Sequence, residues 1–279
     1  MKRTAFFFAA LAVAITALCM TSCKKDGGTG EDSDKITYTD TAFDESLRDA
    51  ILNWGGEEAR DFTFTSYVTM IDNGNEEEAQ GSAFTFSGRK KNGMYYGKYS
   101  GISSAFSFQI DYEYYFADGT VYQKYTDPDV EELNERSKYT YTEKQFLCDF
   151  DGLDVIIPDE SLFDGAEAKL SSSGVTTVTL TVPADKIIDT IMPDLDDFAL
   201  RNGVDADDIK FTDPVITYAI KDGVLTGSVV SLDATFDTDD GTRLYQIDRE
   251  ITINKVGVQV EKITLPEDAD LYTEVTFEK

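Results

Sequence analysis

The sequence predicts a mainly β, α+β fold: a curved antiparallel meander carrying one N-terminal helix and one helical insertion. Three observations support this. Apolar residues recur at spacings of three and four over residues 43–54 and then alternate from Phe62 onward, a change of period from helix to strand. Asn-Gly or Asp-Gly pairs punctuate the alternating stretches at 73–74, 92–93, 118–119 and 222–223, the strongest short-range signal of a hairpin. The 279 residues are 41% hydrophobic and 12% aromatic, enough to build a core despite a net charge of −28.

In chain order, Lys2 and Arg3 precede an apolar run from Ala5 to Met20, the pattern of a secretory signal. The run falls short of the roughly 20 apolar residues that a membrane-spanning helix needs. Met20-Thr21-Ser22-Cys23 ends it and resembles a bacterial lipobox, with Met where Leu is commoner. The resemblance implies cleavage after Ser22, a diacylglyceryl group on Cys23, and attachment of the mature chain to a membrane from the extracytoplasmic side. Two acyl chains suit that role, since one gives only marginal binding. Residues 1–22 are thus the expected signal peptide, 23–40 an acylated cysteine and flexible polar tether, and 41–279 a single domain. Losing Lys2 and Arg3 leaves the mature chain more acidic than its precursor. Of the other cysteines, Cys19 leaves with the signal. Cys148, flanked by Phe146, Leu147 and Phe150, reads as a small buried hydrophobe that has no partner for an internal disulfide.

Phe43, Leu47, Ala50, Ile51 and Trp54 share one face of a helix beginning near Thr41, which is expected to cap it; Gly55-Gly56 stops it. Alternation is clearest from Phe106 to Phe116, where Phe106, Phe108, Ile110, Tyr112, Tyr114 and Phe116 face one way and Ser107, Gln109, Asp111 and Glu113 the other. At about 3.3 Å per residue this strand approaches 36 Å, a length suited to a broad curved sheet. About ten or eleven strands in all are expected, the last over Val256–Leu265 and Leu271–Phe277. Between Pro183 and Gly203 the residues Ile187, Ile188, Ile191, Leu195, Phe198 and Ala199 return to helical spacing, with Pro193 placed to kink or split the helix. A further helical turn is expected around Thr142–Cys148.

The chain contains no histidine. This excludes Ser-His and Cys-His nucleophile pairs and His-based metal sites. Lys and Arg number 25 against 53 Asp and Glu, a balance that repels nucleic acid. Acidic clusters at 72–78, 194–197, 205–208 and 237–241 raise the question of calcium. Counting from Asp237, however, Gly241 falls at position five of an EF-hand frame that needs glycine at six, and Asp, Asn and Gly are also what hairpin tips require. No metal, cofactor or catalytic motif stands out, and the expectation is a non-enzymatic protein. Tyr95, Tyr96, Tyr99, Tyr114, Tyr115, Tyr122 and Tyr125 leave a second reading open, since tyrosines can stack on sugar rings as well as fill strands.

An acylated cysteine, a tether, one amphipathic helix, a long meander, and a helical insertion after Thr177-Val178-Thr179-Leu180-Thr181-Val182-Pro183 form a recognisable order. So does the strand-Asp222-Gly223-strand hairpin over Ile216–Val230. In this order, over roughly Phe43–Lys279, the chain resembles the LolA/LppX-like lipoproteins. The resemblance implies a half-open β-barrel whose concave apolar face holds a lipid, an acyl chain or another hydrophobic molecule. Phe106, Phe108, Ile110, Tyr112, Tyr114 and Phe116 would line that face. Phe43, Leu47, Ile51 and Trp54 of the first helix and Ile187, Ile191, Leu195 and Phe198 of the insertion would cover it. These same faces can simply pack on each other as a filled core. Binding of a partner protein, a surface glycan or cell wall, or a purely structural acidic surface role, are the other readings open at this point. The lipobox reading makes a direct prediction: Cys23→Ala abolishes metabolic fatty-acid labelling of the protein and releases it from the membrane fraction. Labelling that persists refutes the anchor.

Overall fold

The computed structural model describes residues 36–56, 59–76, 79–103, 109–127, 134–141, 154–192 and 195–276. Cys23, Cys148, Phe106, Phe108 and the turn expected around Thr142–Cys148 lie outside the described residues. Strand β1 (Tyr38–Thr41) opens the described chain, so the sheet takes in three residues that the sequence assigns to the tether. Helix α1 (Glu45–Leu52) follows. Its cap is Asp44 rather than Thr41: the Asp44 carboxylate accepts the Leu47 N–H at 3.0 Å, whereas Thr41 is already engaged in β1.

Six strands then form a meander: β2 (Arg60–Asp72), β3 (Gln80–Lys91), β4 (Met94–Ser103), β5 (Gln109–Ala117), β6 (Thr120–Thr126) and β7 (Glu135–Thr140). A second run consists of β8 (Glu167–Ser171) and β9 (Val175–Thr181), then, after the insertion, β11 (Val215–Lys221), β12 (Val224–Thr238) and β13 (Gly241–Val256). The insertion holds helices α2 (Ile188–Ile191) and α3 (Leu195–Asn202), two helices on either side of Pro193, which itself lies outside the described residues, and the two-residue β10 (Lys210–Phe211), which pairs with the far half of β12. At the end of α3, Gly203 at φ +71° and the bond from Val204 N–H to the Ala199 carbonyl form a Schellman stop.

The order across the sheet is β1-β8-β9-β11-β12-β13-β2-β3-β4-β5-β6-β7-β14, where β14 (Thr273–Glu274) lies parallel to β7. The expected single meander is therefore two, fused where β13 pairs with β2. Alternation shows which residues share a face, not which strands are neighbours. The neighbours follow from length: the four longest strands, β12, β13, β2 and β3, lie together at the centre, and the short β1 and β14 form the edges. The sheet is curved and unclosed, a mainly β half-open barrel. Register shifts at Ala219/Ile220 and Ile253/Lys255 fit that bending, since a bulge increases local twist.

Residues Val256–Leu265 do not make the expected strand. After β13 a turn at Gly257–Gln259 releases the chain into a non-sheet belt with Val260, Ile263 and Tyr272 buried, and only Thr273–Glu274 rejoins the sheet. The belt must travel from β13, at the sheet's middle, to β7 near its edge. On the way it follows the outward-facing cross-strand row Arg89, Tyr96, Tyr115, Tyr122 and Lys138. Glu261 bonds Lys255 at 2.8 Å and lies 3.7 Å from Arg89, Asp268 lies 3.2 Å from Arg136, and Tyr272 meets Tyr122 edge-on at 5.7 Å. The Lys255 hydrogen bond and charge, with Arg89 behind them, hold the Glu261 carboxyl below its ordinary range.

Two glycines are required by close approach. A Cβ on Gly241, at φ +127°, would lie 1.9 Å from Asn73 Oδ1, which accepts the Thr242 N–H at 3.0 Å and so fastens the Asn73-Gly74 turn to the β12–β13 hairpin. A Cβ on Gly88 would lie 2.4 Å from Phe62 Cζ and 2.8 Å from Phe86 Cε1, so β3 passes directly beneath two fully buried rings. Gly88→Ala is accordingly expected to lower the unfolding free energy by about 1–3 kcal/mol through overpacking. Gly81→Ala on the same strand, where nothing lies within 4 Å, should stay within about 0.5 kcal/mol of the parent. Urea titration distinguishes the two, and equal midpoints for both variants contradict the packing described.

Candidate functional site on the concave face

Consecutive in the chain, β7 and β8 stand near opposite edges of the sheet, so the connection between them has to traverse it. Its described part, residues 154–166, runs through the core on the concave side, burying Val155, Ile156 and Phe163. Tyr218 on β11 donates from its hydroxyl to the Ile156 carbonyl at 2.6 Å, and burial pushes that phenol well above its ordinary range. At the strap's start the Asp154 carboxylate accepts from Trp54 Nε1 at 2.9 Å and from the Val155 N–H at 2.7 Å, and pairs with Arg60 at 2.9 Å. Arg60 in turn lies over the Trp54 ring at 5.4 Å. One carboxylate thus ties together the turn after α1, the first residue of β2 and the strap.

These contacts divide the concave face in two. Over β9, β11, β12, β13 and the first half of β2 it is filled. Ile51 and Trp54 from α1 and its following turn, Val155, Ile156 and Phe163 from the strap, and Ile187 and Ile191 from the insertion pack in one cluster. They meet Phe62, Phe64, Val178, Leu180, Ile216, Tyr218, Val230, Leu232, Ile247 and Ile251 there. Over β3–β6 the face carries an aromatic track. Phe64 adjoins Phe84 (5.4 Å between centroids), Phe84 adjoins Tyr99 (5.2 Å), Tyr99 adjoins Tyr112 (6.4 Å), and Tyr112 adjoins Tyr125 (5.0 Å) and stacks on Tyr114 (5.8 Å). Apart from Phe64, these rings are only half-buried. Burial, then the neighbouring Tyr112 phenol, raises the Tyr99 pKa; burial and the hydrogen bond to Asp127 (3.1 Å) raise that of Tyr125.

The residues singled out from the sequence separate along the same boundary. Phe116 is fully buried against Tyr95 (5.8 Å), whereas Tyr112 and Tyr114 belong to the half-buried track. Ile110 pairs with Gly101 on β4. Phe43 stacks on Phe163 of the strap at 5.8 Å, and Leu47 packs beside it on the main cluster. Ile51, Trp54, Ile187 and Ile191 are buried in that cluster. Leu195 and Phe198 bridge to a second, smaller cluster with Ala199, Ile209, Ala234 and Phe236, where Phe198 meets Tyr245 edge-on at 5.1 Å and the Tyr245 hydroxyl lies 2.8 Å from Asn202 Oδ1. The tyrosines do not form one row. Tyr95, Tyr99, Tyr114 and Tyr125 lie on the concave side; Tyr96, Tyr115 and Tyr122 lie on the other, in the row that the C-terminal belt follows.

Sequence reading missed the strap. The run Val155-Ile156-Ile157 was its available signal, but a short apolar run does not reveal whether it becomes a strand or a crossing segment. It also missed Arg249, Ser66 and Ser228, polar positions on the mainly apolar concave face.

No protein-family model matches the chain. No curated protein matches it either. Among solved structures it is similar to a β-barrel-like protein of a domain of unknown function, DUF1849, from Brucella abortus. The identity is 10%, covering 71% of this chain and 100% of that one, with a TM-score of 0.24. It is also similar to an inactive mutant of the CurJ dehydratase in complex with a compound, at 10% identity, covering 68% of this chain and 75% of that one, with a TM-score of 0.12. The barrel-like, unclosed architecture rests on the strand order and register themselves.

The Asp154 knot yields a measurable expectation. Asp154→Ala leaves the Arg60 guanidinium and the Trp54 N–H without their acceptor, and breaking such a pair costs about 3–5 kcal/mol. Trp54 is the only tryptophan, so its fluorescence should shift to longer wavelength as the strap loosens. An unshifted spectrum with unchanged stability contradicts the knot's role.

Proposed function

We propose that this protein is a membrane-anchored extracytoplasmic lipoprotein of the LolA/LppX-like kind, non-enzymatic, which takes an apolar ligand such as a lipid or acyl chain against the β3–β6 part of its concave face. Diacylglyceryl-Cys23 would hold it to the membrane, and the acidic polypeptide would stand off anionic head groups. The observation that supports this reading is the half-buried aromatic track Phe84, Tyr99, Tyr112 and Tyr125, continuous across four strands beside a filled core. Half-buried rings on the inner face of a curved sheet are the surface an apolar guest can complete. Division of the tyrosines between both faces disfavours the glycan reading, which requires them in one coplanar exposed row.

The full chain carrying Cys23→Ala, purified without its own acyl chains, should retain co-purified lipid in native mass spectrometry. Added palmitate or phospholipid should raise its melting temperature, since ligand at about 100 times its Kd stabilises by about 2.7 kcal/mol. Tyr112→Ala should weaken binding several-fold. Protein that emerges without lipid and shows no thermal shift with either addition refutes the reading.

A further inference from the structure

The strands of the antiparallel ladder each bring one end to the same rim of the sheet, and the chain that follows Cys23 enters at that rim. There β1 starts at Tyr38, paired with Ser171 at the end of β8. Followed across the pairings, the rim collects the turns at 172–174, 222–223, 92–93 and 118–119, and the turn at Gly257–Gln259 where the chain leaves β13. The acidic clusters stand on the opposite rim. Asp72 and Glu76 lie at the β2–β3 connection and Asp237, Asp239 and Asp240 at the β12–β13 tip; Asp196, Asp205, Asp207 and Asp208 lie in the insertion that leaves the far end of β9. All of them are exposed. On the near rim, apolar and cationic side chains face water instead. Val258 in the turn after β13 is 97% exposed, Val224 at the start of β12 50%, and Leu170 near the end of β8 42%. Lys221 pairs with Val224 across their hairpin, and Lys262 follows Val258 at the head of the belt; both are exposed. Of the acids on this rim, Asp118 and Asp222 hold positive-φ turn positions and Glu261 pairs with Lys255. A single exposed valine is ordinary, but turns are usually polar. Here three large apolar residues and two lysines lie along the contiguous stretch β8-β9-β11-β12-β13, and the chain's entry at β1 adjoins it.

We propose that this rim is the membrane-facing surface of the anchored protein: Val258, Val224 and Leu170 enter the head-group layer, Lys221 and Lys262 meet lipid phosphates, and the acidic rim points away. This rests on Cys23 carrying the lipid anchor, and it adds the orientation in which the domain is held. Reach permits the contact. Residues Lys24–Thr37 span about 50 Å at full extension, and they end at the rim itself, so the domain can settle on the lipid without the tether passing around it. Charge sets the direction. A chain with 53 Asp and Glu against 25 Lys and Arg is repelled as a whole by anionic lipid, and the repulsion is least with its acidic clusters farthest from the surface. The 13 residues of β2 separate the two rims by about 40 Å along the strand, several Debye lengths at physiological salt. Far-rim acids are therefore screened from a membrane that the near rim touches. Apolar side chains at the lipid interface and lysines near its phosphates then add their attractions, and the anchor supplies the high local concentration at which a weak contact is populated.

The test uses the full chain purified with its acyl anchor and reconstituted in vesicles of brominated phosphatidylcholine and phosphatidylglycerol in equal parts, where bromine quenches tryptophan that enters the bilayer. The parent, whose only tryptophan is the buried Trp54, gives the baseline. Val258→Trp should be quenched at least twofold beyond that baseline, and Asp239→Trp on the far rim should not be quenched; both positions are exposed, so neither change disturbs the core. Adding Val224→Asp and Lys221→Glu to Val258→Trp should at least halve its quenching. Acylated Val258→Trp protein quenched no more than Asp239→Trp overturns the rim contact and leaves the anchor standing. Quenching unaltered by the two added changes does the same. Mature protein that carries no acyl chain in mass spectrometry overturns the anchor reading, and the proposal with it.

Discussion

The structure depends on a connection that has to cross its own sheet. With β7 and β8 near opposite edges, the described part of the chain between them, residues 154–166, lies on the concave side, and a single buried carboxylate holds its start. Asp154 gathers the Trp54 indole, the largely buried Arg60 guanidinium and its neighbour's N–H at 2.7 to 2.9 Å. In that setting an ion pair is favourable only when its remaining hydrogen-bonding capacity is also met, and here three donors converge on two oxygens. Position follows from it: Val155 and Ile156 reach the core, the Ile156 carbonyl meets Tyr218, and α1 is drawn down onto the sheet.

A strap placed there makes the inner face unequal. On the β9–β13 side, two helical elements and the strap bring apolar side chains that pack with those of the sheet in one buried cluster. Toward β3–β6 the sheet presents aromatic rings whose ring neighbours among the described residues are mainly one another. A second crossing, the C-terminal belt, lies on the opposite side. It packs Val260, Ile263 and Tyr272 near the outward row of Arg89 and three tyrosines and is fastened by ion pairs at Glu261 and Asp268. The two crossings do for this open sheet part of what closure does for a barrel: each joins strands that the hydrogen-bond ladder alone leaves far apart.

Several acidic residues that dominate the composition have structural partners. Asp72 meets Arg243 at 3.0 Å at the tip of β2, Asp237 accepts the Thr242 hydroxyl at 2.6 Å in the next hairpin, and Asp118 and Asp222 adopt the positive φ that a tight two-residue turn demands. These are tasks of turn geometry and surface pairing, contributing little individually to stability.

What the sequence determined by itself was mostly what neighbours along the chain govern. The 3.6-residue period of Phe43–Trp54, the alternation in β2 to β4 and β9 to β13, the positive-φ pairs Asn92-Gly93, Asp118-Gly119 and Asp222-Gly223, and the break in the helical insertion between Ile191 and Leu195 are local properties, and each is found where the residues place it. Only the tertiary structure decided the union of β13 with β2, the crossing of the strap, the conversion of Val256–Leu265 from strand to belt, and the row Val230, Arg249, Ser66 and Phe84. Those depend on contacts between residues far apart in the chain, as Trp54 and Asp154 are across 100 positions and Arg249 and Ser66 across 183. No periodicity records such pairings, because a cross-strand neighbour is chosen by strand length, register and the space left by what has already packed.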